Sequence, residues 1–197
     1  MSISIERLNE KNFADYETLT SRQAHGGCYC SFWHQKWQSM ADWEKCQKET
    51  PDINRQMVFE KMRSGFHVGV LAYQGSDLLG WLSVGPLIDF YWTWRRVIQV
   101  GEDAKAIAGI TCFTIATNFQ GKGLQSEILE ALKVYGKQQG WKAIEGYPFD
   151  ESALEKHKKD VIWPGLTKGF EKAGFTRTGP HWLSNPEAER SIFTVEL

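Results

Sequence analysis

The chain predicts a mixed α/β sheet, and three observations carry that prediction. Short runs rich in β-branched and aromatic residues alternate with stretches of helical apolar spacing. An apolar strand at residues 110–116 passes through a glycine-bracketed turn into a helix at 126–139. Two further strand-like runs, around Thr176 and at 192–196, close the chain as a hairpin. Strands that alternate with helices and end in a hairpin belong to mixed sheets covered by helices.

Taken in order, residues 3–8 predict a first strand and 9–22 a helix capped by Asn9 or Asn12, broken by Gly26-Gly27. Residues 33–39 and 40–48 are helical by spacing. Pro51 is expected to stop the second of these before a helix at 53–63, which Ser64-Gly65 ends. Residues 67–86, HVGVLAYQGSDLLGWLSVGP, read as two strands joined by a Gly-Ser-Asp turn. Residues 87–103 crowd Phe90, Tyr91, Trp92, Trp94, Arg95 and Arg96 together without a clean period, and 102–106 is polar enough for a turn. After the strand and helix already described come a strand at 142–147 and a short helix at 166–173. Residues 1–197 form one domain, with no internal repeat or low-complexity tract.

The junction at residues 110–125, ITCFTIATNFQGKGLQ, carries chemistry. The first N–H groups of a helix lack intrahelical partners and lie at the positive end of its dipole, so they bind polyanions. Gly121 and Gly123 let a phosphate approach the backbone closely. The spacing completes neither G-x-x-x-x-G-K-[ST] nor G-x-G-x-x-G.

Charge and composition narrow the function. With 23 basic against 24 acidic residues, no sequence-wide basic field recommends nucleic acid. No apolar stretch reaches membrane-spanning length, and the N-terminal residues lack the pattern of a signal peptide. The expectation is a cytoplasmic protein whose four cysteines, Cys28, Cys30, Cys46 and Cys112, are reduced.

The glycine-bracketed turn resembles the Q/R-x-x-G-x-G/A signature of the GNAT superfamily of N-acetyltransferases. Gln120, Gly121, Lys122, Gly123 and Leu124 fit it, and Gln125 stands where the signature has a small residue. Gly69 to Tyr73 and Gly80 to Pro86 resemble the G-x-L-A-Y and G-W-x-S-V-x-P of one branch. Cys112-Phe113, the EGYPFD segment at 145–150, the FEKAGF segment at 170–175 and Gly27-Cys28-Tyr29-Cys30-Ser31-Phe32-Trp33 resemble further segments of that branch, in family order. The resemblance implies a GNAT fold, with a mixed central sheet splayed at the acyl-CoA site and helices on both faces. It implies acetyl-CoA as acyl donor and an unidentified primary amine as acceptor, with no nucleic acid or membrane partner and a homodimer left open. Carried over residue by residue, Phe113, Thr114, Ile115 and Ala116 would face the pantetheine and acyl carbonyl through backbone groups. Gln120, Gly121, Lys122, Gly123, Leu124 and Gln125 would hold the diphosphate, Gln125 pushing it outward or donating a side-chain hydrogen bond.

Acid and base follow less directly. The family's usual tyrosine lies four residues before the glycine of G-F, and here that position is Phe170, which has no proton to give. Tyr147 is then the candidate acid and Glu145 the candidate base, both on the strand beside 110–116, with Cys112 a third candidate by location. A non-catalytic acyl-CoA sensor on the same fold is the competing reading. Cys28-x-Cys30 with His25 and His34 is tighter than zinc spacing and lacks a second cysteine pair, so the expectation is no metal, with these small side chains packed beneath Trp33 and Trp37. Lys156, His157, Lys158 and Lys159 read as a solvated helix face, with attraction of an acidic substrate or the CoA phosphate as runner-up. The aromatic cluster around Trp92 and Trp94 could form a wall for a cation or an apolar acceptor.

Overall fold

The computed structural model describes residues 2–20, 26–151, 164–182, 184 and 189–197. Its helices are α1 (Phe13–Thr20), α2 (Met40–Glu49), α3 (Pro51–Arg63), α4 (Trp94–Val100), α5 (Leu124–Gln138) and α6 (Thr167–Lys172). Its strands are β1 (Ile3–Arg7), β2 (Val70–Gln74), β3 (Asp77–Pro86), β4 (Ile107–Ile115), β5 (Ala143–Gly146), β6 (Thr176–Pro180) and β7 (Ser191–Glu196). They form one sheet in the order β1-β2-β3-β4-β5-β7-β6. All neighbours are antiparallel except β4 and β5. A parallel pair needs a crossover, and α5 supplies it.

Helices cover both faces, as the resemblance implies. Ile128, Leu129 and Leu132 of α5 and Phe170 of α6 pack with Val84, Ile110, Ile144 and Phe193 on one face. Phe13 and Tyr16 of α1 and Val58 and Met62 of α3 pack with Leu71, Trp81 and Cys112 on the other. No helix among the described residues is long and apolar enough to cross a membrane.

Four boundaries differ from the sequence reading for identifiable reasons. The first helix begins at Phe13 because the Asn12 side chain accepts the Asn9 N–H at 2.8 Å and holds the preceding residues in a turn. Residues 33–39 are not one helix: a single 3-10 turn, Ser31–His34, follows Tyr29 and Cys30, whose φ angles of 47° and 52° are left-handed, and Gln35 is extended. Pro51 starts a helix rather than only stopping one, since its missing N–H is not needed at the first helical position. The unperiodic stretch 87–103 contains two 3-10 turns, then α4, whose Arg96 turns inward, and the start of a third 3-10 turn at Gly101–Lys105.

The β3–β4 ladder slips by one residue, Ser83 pairing with Cys112 and Val84 with Ile110. The extra residue, Thr111, is buried and donates its hydroxyl to Ser83 Oγ at 2.9 Å. Such a bulge breaks the two-residue alternation. Ile110 and Phe113 consequently share the α5 face, while Cys112 joins the opposite core.

Candidate active site

β4 and β5 part where their ladder ends. Their last pair is Ile110 with Gly146, yet β4 continues to Ile115. The chain beyond β5 turns to other partners: Phe149 bridges Leu166 and Arg190, its N–H donates to Gly165 O at 3.0 Å, and the Thr167 N–H donates to Phe149 O at 3.1 Å. A split therefore opens between residues 111–115 and 147–149. Phe170 is fully buried at its base, its ring so close to Gly146 that a Cβ there would sit 2.1 Å from it. This places the residue at the family's tyrosine position inside the core.

The glycine turn stands at the end of β4. Gly121 and Gly123 have φ of 74° and 76°, a left-handed backbone that favours glycine, and the space where a Cβ would project is open at both. Gly123 begins α5 with no side chain capping its first turn, so those N–H groups face outward for an anion. Ser126 bends back to donate to Gly123 O at 3.3 Å, and Lys122 lies exposed at the turn, its ammonium 5.1 Å from the Phe119 ring centroid. Glu127, also exposed, is the one acidic residue of that turn. These features fit a diphosphate bound by backbone.

Two side chains of the predicted loop have other partners. Gln120 donates to Ile115 O at 2.9 Å and braces the turn against the end of β4. Gln125 faces α6: its Nε2 donates to Leu166 O at 3.0 Å, and its Oε1 accepts from Leu166 N at 3.4 Å. Room for it comes from Gly165 and Gly169, where a Cβ would lie 2.8 and 2.4 Å from the Gln125 amide group. The expected outward thrust or side-chain donation toward a diphosphate gives way to a bond between α5 and α6.

Glu145 and Tyr147 project from the same side of β5 and its extension, as a two-residue spacing dictates. Glu145 is almost wholly buried and ion-paired: Arg96 Nε donates to both carboxylate oxygens at 3.0 Å and Nη2 to Oε1 at 2.5 Å. That fork raises the Arg96 pKa, and it engages the carboxylate proposed as a base. The Tyr147 hydroxyl lies 3.4 Å from Glu145 Oε2 and over Gly109 of β4, where a Cβ would come within 2.9 Å of it. Burial, followed by the Glu145 charge, pushes the Tyr147 phenol well above its ordinary pKa and keeps its proton in place. Arg96 was not identifiable as the partner of Glu145 in sequence, because 49 residues separate them and no period marks α4.

His181 and Trp182 extend the site. The His181 ring packs 4.8 Å from Tyr147 and 3.9 Å from Trp182, and burial lowers its pKa to about 3. No sequence motif marked either residue.

The cysteine motif has a packing role. Cys28 and Cys30 are buried, and the Trp81 indole donates to Cys30 Sγ at 3.3 Å, so Trp81 lies over Cys30. Cys112 is buried in the same core as Cys30, with its sulfur 3.9 Å from Thr114 Oγ1. His34 stacks on Phe90 at 5.0 Å. His25 and the basic run Lys156, His157, Lys158 and Lys159 lie outside the described residues.

No family model and no curated protein matches the sequence. Solved structures match along the whole chain. Aminoglycoside acetyltransferase AAC(6')-Ib, solved with acetyl-CoA, superposes with a TM-score of 0.56 at 15% identity, covering 100% of this chain and 94% of that one. Spermidine N-acetyltransferase from Vibrio cholerae, with CoA and spermine, gives 0.59 at 12% identity over 99% and 95% of the two chains. Ribosomal-protein-alanine N-acetyltransferase from Brucella melitensis gives 0.56 at 13% over 98% and 99%. The fold is that of the GNAT acetyltransferases.

Proposed function

We propose that this protein is an N-acetyltransferase that moves an acetyl group from acetyl-CoA to a primary amine. The observation that carries the reading is the parting of β4 from β5 beside the glycine-opened start of α5. The β4 edge beyond Ile110, which β5 does not pair, offers amide partners to an extended pantetheine arm, as strand edges do for peptides. The uncapped first turn of α5 receives the diphosphate through backbone N–H groups of Leu124 and Gln125. Bound there, acetyl-CoA supplies an activated thioester to the amine nitrogen. A backbone N–H near Phe113 or Ile115 stabilises negative charge developing on the acyl oxygen. Tyr147, protonated at neutral pH, is the proton donor to the departing sulfur. Glu145, engaged by Arg96, fixes the Tyr147 hydroxyl, and water takes the proton of the amine. Such an enzyme works in the cytoplasm, where thiols stay reduced.

Calorimetry with acetyl-CoA tests the cofactor half of the reading. The parent binds, and Gly123→Val, which cannot hold φ near 76° without strain and fills the open approach, loses most of that affinity. Equal binding by a folded Gly123→Val protein would overturn the cradle.

A non-catalytic acyl-CoA sensor is the second reading, favoured by the Glu145–Arg96 ion pair and by Phe170 in the core. Tight acetyl-CoA binding with no turnover across a broad amine panel identifies it.

A further inference from the structure

We propose that Cys28, Cys30 and Cys112 form an oxidation site: hydrogen peroxide is reduced at Cys28, the oxidising equivalent passes through Cys30, and the resulting disulfide between Cys30 and Cys112 weakens acetyl-CoA binding. The disulfide is independent of the acetyltransferase reading above, whereas its effect on acetyl-CoA rests on that reading. The three cysteines come from two distant segments. Cys28 and Cys30 lie in the turn before the 3-10 helix at Ser31–His34, and Cys112 lies on β4 opposite Ser83. The Cys30 thiol is within hydrogen-bonding reach of the thiols of both Cys112 and Cys28. Its sulfur accepts the Trp81 indole N–H at 3.3 Å, and its own backbone N–H donates to Cys28 Sγ at 3.4 Å. Cys30 and Cys112 share one packed core with Trp81, and all three thiols are free.

Packing alone does not account for this arrangement. Tyr29 and Cys30 hold φ of 47° and 52°, a left-handed backbone that is costly for residues with side chains and persists where the surroundings impose it. The Tyr16 hydroxyl donates to Tyr29 O at 2.6 Å and holds the turn in that conformation. An apolar side chain of cysteine's size would fill the same space but accept no indole N–H. Donation by the Cys30 thiol, with a smaller share from its backbone N–H, holds the Cys28 thiol below its ordinary pKa despite burial. The thiolate is the form that reacts. The Cys28 sulfur attacks one peroxide oxygen, the O–O bond breaks, and hydroxide leaves and is protonated to water, giving a sulfenic acid. The Cys30 sulfur then attacks the Cys28 sulfur, the S–O bond breaks, and a second water leaves with the Cys30 proton. Finally the Cys112 sulfur attacks Cys30 and releases Cys28, which takes the Cys112 proton. Two thiols are oxidised and one peroxide becomes two waters. A disulfide closed across a single residue departs from relaxed geometry, so exchange runs toward the bond between Cys30 and Cys112. That bond pulls on β4 at the residue before Phe113, next to the edge that would pair with pantetheine. Disulfides in a reducing cytoplasm are transient and redox-sensing, as this one would be.

The test uses the full chain carrying Cys46→Ser, which removes the more exposed thiol on α2. The reduced protein is treated with hydrogen peroxide, digested without reductant and mapped by mass spectrometry. The expected product is a peptide cross-linked between Cys30 and Cys112 that dithiothreitol separates. Adding Cys28→Ser slows its appearance about tenfold, and adding Cys112→Ser leaves a bond between Cys28 and Cys30 instead. Calorimetry is expected to show the acetyl-CoA Kd about tenfold higher after oxidation, the equivalent of one lost hydrogen bond, and restored by dithiothreitol. Cys30→Ser, whose hydroxyl still accepts the Trp81 N–H, binds acetyl-CoA equally before and after peroxide. Absence of the peptide joining Cys30 to Cys112 in the oxidised parent overturns the proposal without reference to any variant. An equal rate in folded Cys28→Ser overturns Cys28 as the entry point, and a cross-link that leaves the Kd unchanged overturns the effect on acetyl-CoA. Failure of the reduced parent to bind acetyl-CoA overturns the underlying acetyltransferase reading instead, while the peptide map still decides the disulfide.

Discussion

Tyr147 gains its candidate role from its neighbours rather than from its place in a motif. Gly109 leaves room for the hydroxyl over β4, Glu145 lies 3.4 Å away, and burial keeps the phenol protonated. Tyr147→Phe retains the ring and its contacts with His181 and Trp182 while deleting the proton. A positioned general acid contributes typically about 10² to 10⁴-fold. We expect kcat to fall on that scale with acetyl-CoA affinity unchanged, measured by steady-state kinetics and calorimetry; a fall below tenfold would reassign the hydroxyl to holding Glu145. That Glu145 and Tyr147 share one side was legible in the sequence, since they sit two residues apart along β5 and its extension. The ion pair was not. Arg96 reaches Glu145 from a helix 49 residues earlier, and side chains that meet through tertiary folding leave no local spacing to read.

At the scale of elements, Gln125 ties α5 to Leu166 at the start of α6 rather than reaching toward the diphosphate. Gln125 stands where the resemblance expects a small residue, and two glycines on the facing segment make way for its amide. A methyl at Gly169 would come 2.4 Å from Gln125 Cδ, so Gly169→Ala displaces the amide. Overpacking of this kind costs about 1 to 3 kcal/mol. Gln125→Ala loses both bonds to Leu166 but leaves space for that methyl. The double variant should therefore regain much of the Tm lost by Gly169→Ala, with a coupling of about 0.5 to 3 kcal/mol in a double-mutant cycle. Simple additivity in Tm would show that Gln125 and Gly169 do not share one space. The elements themselves were mostly readable from apolar period and turn residues. Those that were misread, residues 33–39 and the start of α3, were decided by left-handed backbone at Tyr29 and Cys30 and by the tolerance of proline at a helix start.

For the whole molecule, burial of neutral histidines makes stability depend on pH. Burial lowers His34 and His181 to about 3 and His67 to about 4. The unfolded chain titrates these groups near 6.5. Above that pH both states hold them neutral and stability is full. Below it the unfolded chain takes up protons that the fold refuses, so stability falls from about pH 6.5 toward pH 3 to 4. Each such histidine contributes a slope of about 1.4 kcal/mol per pH unit in that window. His34 has neither ring nitrogen hydrogen-bonded, so His34→Leu removes one titration without breaking a polar contact. Urea unfolding at pH 7 and pH 5 should show a stability loss smaller by about 2 kcal/mol in the variant. Equal losses in parent and variant would mean that His34 takes up its proton as readily in the fold as in the unfolded chain.

Composition, apolar period and turn chemistry by themselves determined a mixed α/β sheet and a glycine turn opening α5; helices on both faces came from the resemblance. Each of these depends on contacts close in the chain: alternation along a strand, spacing along a helix, backbone freedom at Gly121 and Gly123. Only the tertiary structure decided where β4 parts from β5, that Thr111 bulges and sends Phe113 and Cys112 to opposite faces, and that Arg96 occupies Glu145. It also decided that the rings of residues 92, 32, 33, 181 and 182 meet one after another. Those outcomes depend on which distant segments share a space, and packing between segments far apart in sequence carries no periodic signal along either one.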